Sequence, residues 1–440
     1  MDMKKYLFMA APLAVLLTAC GDKKNSGTSS DSTATTAWTP QAPPLPAPDE
    51  GKSQTKFSNV IGWPEGKTPV APEGFVVTEY ARDLVNPRWI YVAPNGDVLV
   101  AEANTEQKGL KKVGAVLSGK ANSQRLGTSA NRITLLRDTN KDGKPDAKTT
   151  FLEGLNQPFG MLIVGNTFYV ANTDGLMSYP YQEGQTKITG AGKKILELPA
   201  GGYNNHWTRN LIANADGSKI YISVGSGSNV AEHGMDNEVR RAAILEINPD
   251  GTGERIYASG LRNPVGMDWY PGSKTLYTAV NERDELGDEL VPDYLTSVKD
   301  GAFYGWPYSY YGQHEDPRRK GERPDLVKKA LLPDVPLGSH TASLGLAFYD
   351  QNAFPAKYHN AAFIGQHGSW NRSALVGYKV VAVPFVDGHP NGKPEDFLTG
   401  FVANDKDVYG RPVGVTVMPD GSMLVADDSG NRIWRVAAAK

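Results

Sequence analysis

The stretch RPVGVTVMPDGSMLVADDSGN, Arg411 to Asn431, reads as two apolar strands joined by a tight turn. The turn PDGS supplies the Asp and Gly that a short antiparallel hairpin needs. The same arrangement, a Pro or polar start, a strand, a Gly-containing turn and a second strand, recurs upstream. Its copies are NPRWIYVAPNGDVLVAEA from Asn86, QPFGMLIVGNTFYVANT from Gln157, HWTRNLIANADGSKIYISVGSGS from His206, NPVGMDWYPGSKTLYTAVN from Asn263 and SLGLAFYDQNAFPAKYHNAAFIGQHGS from Ser343. Six copies at spacings of roughly 50 to 80 residues are the signature of propeller blades. Little helical periodicity follows the first twenty residues. The expectation is an all-β chain with one six-bladed β-propeller over 57–440; a further blade, if there were one, would lie in 290–340.

In a propeller the segments at the ends of the innermost strands line one mouth of the central channel, so residues far apart in sequence converge there. His206, Arg262-Asn263, Asn281-Glu282-Arg283, Gln366-His367 and Arg411 occupy such ends. On the fragment GGYNNHWTRNL alone, the ordinary reading of His206 is a backbone cap or the filler of a half-buried gap.

The N-terminus sets the compartment. Lys4 and Lys5 precede an apolar run to Leu17, the layout of a secretory signal over 1–19, and Leu17-Thr18-Ala19-Cys20 resembles a bacterial lipobox. Cys20 is then the lipidation site and the protein is anchored on the periplasmic side of a bacterial membrane. As the only cysteine of the chain, it leaves the folded part without disulfides. Residues 20–56, rich in Ser, Thr and Pro, read as a flexible tether. The net charge of −2 and the lack of a basic stripe give no reason to expect a nucleic-acid partner.

HWTRNL, GLRNPVGMDW, NERDELGDELVPD, YGWP, SLGLAFY, FIGQHGSWNR and GRPVGVTVMPDG, taken in order, resemble the glucose/sorbosone dehydrogenase family of soluble-type quinoproteins, closest to its sorbosone-dehydrogenase-like branch. The resemblance covers nearly the whole chain beyond the tether. It implies pyrroloquinoline quinone (PQQ) on a Ca²⁺ at the channel mouth, a sugar substrate above it, and an electron acceptor that the sequence does not identify. His206 matches the base that removes the hydroxyl proton as hydride passes to the quinone. Arg262 and Asn263 match a pair beside the cofactor, and Arg411 matches one of two carboxylate-binding arginines. The second of these falls at Val413, and the quinone-contacting lysine falls in GQHGSWNR, leaving His367 or Arg372 to substitute. The carboxylate that orients the histidine is replaced by Ser226, with Asp236 or Glu238 as candidates for its role. Cofactor binding is therefore expected to lean on Ca²⁺ and Arg411.

The same resemblance places the cofactor's calcium on backbone carbonyls of the loop Asn281-Glu282-Arg283, although the acidic run NERDELGDEL reads equally as a solvated loop. A second calcium seat is offered by DTNKDGKPD, with Asp138, Asn140, Asp142 and Asp146 spaced as in the first part of an EF-hand loop. Position 12 there is Thr149, and a plain Asx-rich hairpin would look alike. Tyr203, Trp207 and Trp370, in Gly-rich loops, are candidate surfaces for a sugar ring. Two other readings use the same architecture: a calcium-dependent lactone hydrolase, and a non-catalytic envelope-binding propeller lipoprotein.

Overall fold

The structure, a computed structural model, describes residues 38–51, 54–106, 110–123 and 125–439; the expected signal peptide, Cys20 and most of the tether lie outside the described residues. Six four-stranded antiparallel sheets form a six-bladed β-propeller. Their innermost strands are Pro87–Val92, Met161–Val164, Leu211–Ala213, Pro264–Trp269, Ser343–Phe348 and Pro412–Val417, so every hairpin read from the sequence is the inner half of a blade. Residues 290–340 hold no further blade. Pro292–Val298 and Val335–Ser339 are the outer strands of blade four, and a short strand pair, Ser309–Tyr310 with His314–Glu315, lies between them.

The sequence explains the close approach of the inner strands. A Cβ on Gly266 would stand 2.5 Å from Leu346 N, and one on Gly345 would stand 2.1 Å from Val413 O. Only glycine lets neighbouring blades meet there. Trp89, Phe159, Trp207, Val265, Leu344 and Val413, from at or next to the innermost strands of all six blades, belong to one buried apolar cluster.

Two features were not legible as written. Between the second and third strands of blade one, the chain inserts helices α1 (Leu110–Leu117) and α2 (Lys120–Ser123). In addition, the propeller's contacts reach back beyond residue 57. Leu45 packs on a buried cluster shared by blades three and four, Asp49 N donates to Leu286 O at 3.1 Å, and Lys56 N donates to Trp370 O at 2.8 Å. Part of the expected tether is thus seated on the loops of the mouth.

Candidate active site

His206 stands just before the inner strand of blade three, and its loop is fastened by Arg209. That fully buried guanidinium donates to the carbonyls of His206 (2.7 Å), Thr208 (2.8 Å) and Pro199 (2.7 Å) and to Asn204 Oδ1 (3.0 Å). Facing it is VGSGS. A Cβ on Gly225 would lie 2.3 Å from Asn263 Oδ1 and 2.6 Å from His206 Cβ, so glycine there allows histidine and asparagine to share one cradle.

The tautomer of His206 follows from its partners. Nδ1 is 2.8 Å from Ser226 O and 3.0 Å from Ser226 Oγ, while that hydroxyl donates its own proton to Ser228 O at 2.6 Å. Both neighbours therefore accept, Nδ1 carries the hydrogen, and Nε2 keeps its lone pair. Burial, reinforced by Arg262, pushes the imidazole down to about 3. It is a neutral proton acceptor at any physiological pH. Glu238 takes the missing carboxylate's place only indirectly: it accepts from Gly227 N at 2.7 Å and from the Ser228 hydroxyl, holding the loop that holds His206. Asp236 is exposed and takes no part.

Arg262, 3% exposed, is directed into the loop expected to hold calcium. It donates to Asn281 O (3.3 Å), Glu282 O (2.5 Å), Asn229 O (3.2 Å), Asn229 Oδ1 (2.9 Å) and Asp284 Oδ2 (3.3 Å). The carbonyls assigned to calcium are accepting from a guanidinium, so the expected seat does not fit a metal. Burial pushes the Glu282 carboxyl up to about 7. Asn263 differs: its Oδ1 is buried beside His206 without a hydrogen-bond partner.

The remaining nominated cations are also engaged. Arg411, 2% exposed, donates to His367 O (2.8 Å), Gly368 O (2.7 Å) and Ser123 O (2.9 Å), tying α2 to blade five. It fastens backbone where a carboxylate-binding group was expected. His367 directs Nε2 at Asp428, 2.9 and 3.0 Å from its two oxygens; burial and Arg411 keep the imidazole uncharged near neutrality. Arg372 holds Asp288 O at 2.7 Å and Glu289, at the rim. Trp207 is buried in the apolar cluster of the inner strands and Trp370 stacks on Phe57 at 5.9 Å, so neither is a free sugar platform. Tyr203 remains at the surface, stacked on His233. Asp138, Asn140, Asp142 and Asp146 sit in the outer hairpin turn of blade one. There the Asp138 carboxylate accepts from Asp142 N and Gly143 N, Asn140 Oδ1 accepts from Asp142 N, Asp142 Oδ1 accepts from Lys144 N, and Asp146 Oδ2 accepts from Thr139. This is the Asx-rich hairpin, far in the fold from His206. Among the described residues no group of three or more His, Cys, Asp or Glu could hold a metal.

Residues outside the sequence-based set complete the mouth. Arg88, one residue into the inner strand of blade one, pairs with Asp428 and lies over the Trp207 ring at 5.3 Å, with its buried Nε unpartnered. Lys120 of α2 is half-buried, its ammonium pushed down by burial and drawn up by Asp284. His340 faces Asp284 Oδ1 (3.2 Å) with Nδ1 and Gly287 O (2.8 Å) with Nε2; although burial opposes it, Asp284 raises its affinity for a second proton. The sequence signal for Arg88 was present: it occupies the same register as Val413.

The family described as "Domain of unknown function (DUF7133)" matches residues 67–428. The chain belongs to that family. An "Uncharacterized protein" of Borreliella burgdorferi (strain ATCC 35210 / DSM 4680 / CIP 102532 / B31) is 32% identical over 300 residues, 65% of this chain and 77% of that one. "Aldose sugar dehydrogenase YliI" of Escherichia coli (strain K12) is 25% identical over 197 residues, 41% of this chain and half of that protein's length. Among solved structures, the holo form of the pyranose dehydrogenase PQQ domain from Coprinopsis cinerea superposes with a TM-score of 0.68 at 20% identity, covering 87% of this chain and 100% of that one. The PQQ-bound aldose sugar dehydrogenase from Streptomyces coelicolor gives 0.56 at 16%, covering 84% and 99%. At these identities the superpositions establish for this DUF7133 member the propeller fold.

Proposed function

We propose that this DUF7133 propeller is a PQQ-dependent sugar dehydrogenase that oxidises an aldose or related sugar aldehyde or hemiacetal. The observation that carries the reading is the pairing of a neutral His206, lone pair on Nε2, with the orphaned Asn263 Oδ1 in one cradle at the mouth. The names of the E. coli relative and of the propellers it superposes on support the same class.

The chain's residues would fit a planar anionic quinone through a set that keeps Asn263 of those expected from sequence and adds two others. Arg88, through its unpartnered Nε, and Lys120 would hold the group's carboxylates, and Asn263 Oδ1 would accept a hydrogen bond from it. When bound, PQQ supplies a two-electron acceptor for hydride. His206 Nε2 takes the hydroxyl proton, and the Nδ1–H held by Ser226 keeps the ring oriented. Sugar-dependent dye reduction by the protein titrated with PQQ tests the reading. His206→Gln is expected to lower kcat by about 10² to 10⁴ with PQQ affinity unchanged. Failure of the wild type to bind PQQ, or turnover untouched in the variant, would reject it.

Lipid anchoring through Cys20 on the periplasmic side belongs to the same proposal, supported by the signal and lipobox pattern. Cys20→Ser is expected to free the protein from membranes without loss of domain stability; retention of the variant in the membrane fraction would contradict it.

A further inference from the structure

A guanidinium has five N–H groups, and Arg262 presents them to five oxygens drawn from two short segments. They are Asn229 O and Oδ1, Asn281 O, Glu282 O and Asp284 Oδ2. The cage closes on itself as well: Asp284 N donates to Asn229 Oδ1 at 2.9 Å, and Asn229 Nδ2 donates to Asp284 O at 3.2 Å. Three main-chain carbonyls, one amide oxygen and one carboxylate form an all-oxygen, singly anionic set, the donor chemistry of a calcium site. Here the set surrounds a fixed organic cation, planar and charged at every working pH.

We infer that Arg262 is the resident cation of this loop, standing in for the divalent metal, so that the mouth assembles without calcium. Asp284 and the carbonyls of 281 and 282 converge because the guanidinium holds them. Taking Arg262 away leaves five oxygens around an empty centre, which turns a built-in cation site into one that a free cation can enter.

The test uses Ca²⁺ and Tb³⁺ alone, with no quinone present, on the full chain carrying Asp142→Asn so that the acidic turn of blade one contributes nothing. With Arg262 intact, equilibrium dialysis at about 1 mM Ca²⁺ is expected to find no stoichiometric ion, and chelator is expected to leave Tm unchanged. Arg262→Ala is expected to lower Tm and to bind one Ca²⁺ per chain, with Kd on the order of 0.1 to 1 mM and partial recovery of Tm. Trp306, whose Nε1 donates to Asn229 O at 2.8 Å, makes Tb³⁺ luminescence a local report of that occupancy. Should Arg262→Ala not fold, Arg262→Lys takes its place. It keeps one cation in the cage, and unchanged Tm with and without chelator is then the supporting result. One Ca²⁺ per chain with Arg262 present, abolished by Asp284→Asn, overturns the inference. So does a folded Arg262→Ala that binds neither ion, or an Arg262→Lys protein that needs calcium. Because PQQ enters no arm, these results decide the cage whether or not the sugar-oxidation reading holds.

Discussion

At the scale of single residues, the chemistry rests on where one hydrogen sits. Ser226 O and Oγ both accept, so His206 offers Nε2 as the base, and its folded value of about 3 against 6.5 unfolded makes this a stability statement too. A basic group with a depressed folded value contributes stability that is complete above 6.5 and lost as pH falls toward 3. The stability of wild type relative to His206→Gln should therefore decline across that window with a slope approaching one proton. Denaturant titrations at pH 7, 5.5 and 4 measure it, and a difference constant with pH would show that the ring is not held neutral. His206, Arg262 and Asn263 were readable because repeat register puts them at strand ends. The partners of Arg209, Arg262 and Arg411 were not, because those guanidiniums bind backbone carbonyls, which carry no sequence signature.

At the scale of elements, the hairpin turns were legible and the α1–α2 insertion was not. An eight-residue helix offers only two turns of periodicity, and Val113, Val116 and Leu117 on it are exposed, so its apolar positions do not mark a core face. What holds α2 is Arg411, through Ser123 O, helped by the Ser58 and Ser123 hydroxyls at 3.1 Å. Arg411→Met would leave three buried carbonyls unpaired, at about 1–3 kcal/mol for each group left without a partner. The expected result is a lower denaturation midpoint and faster proteolysis within 105–129. Unchanged stability with a tenfold loss of PQQ affinity would instead return Arg411 to the cofactor. Gly225→Ala is a complementary case. Its new Cβ would displace His206 and Asn263, so turnover should fall further than Tm, and equal losses would argue that the cradle is only structural.

At the scale of the whole molecule, the ring is closed by joining the two ends of the domain, which six repeated hairpins do not disclose. Phe75–Ala81 is the outermost strand of blade six, paired antiparallel with Arg432–Ala438 in the order first strand, last strand, Met423–Asp427, Pro412–Val417. Phe75 also meets Phe354, Phe397 and Tyr358 of blade five edge-on, at 4.7, 5.2 and 5.6 Å, so the closing strand ties two blades. A second tie runs through Asp427, whose Oδ2 accepts from Trp63 Nε1 at 2.6 Å and Trp434 Nε1 at 3.2 Å; burial raises that carboxyl to about 6. A chain beginning at residue 57 keeps both ties and should give a cooperative monomeric transition. One beginning at residue 82 loses Trp63 and the closing strand, and it exposes Arg432–Ala438 as an unpaired edge whose N–H and C=O groups invite pairing with another copy. It should therefore aggregate or melt without a sharp transition. Calorimetry with size-exclusion chromatography separates the two outcomes, and a cooperative monomer from residue 82 would mean that the blades close without their N-terminal strand.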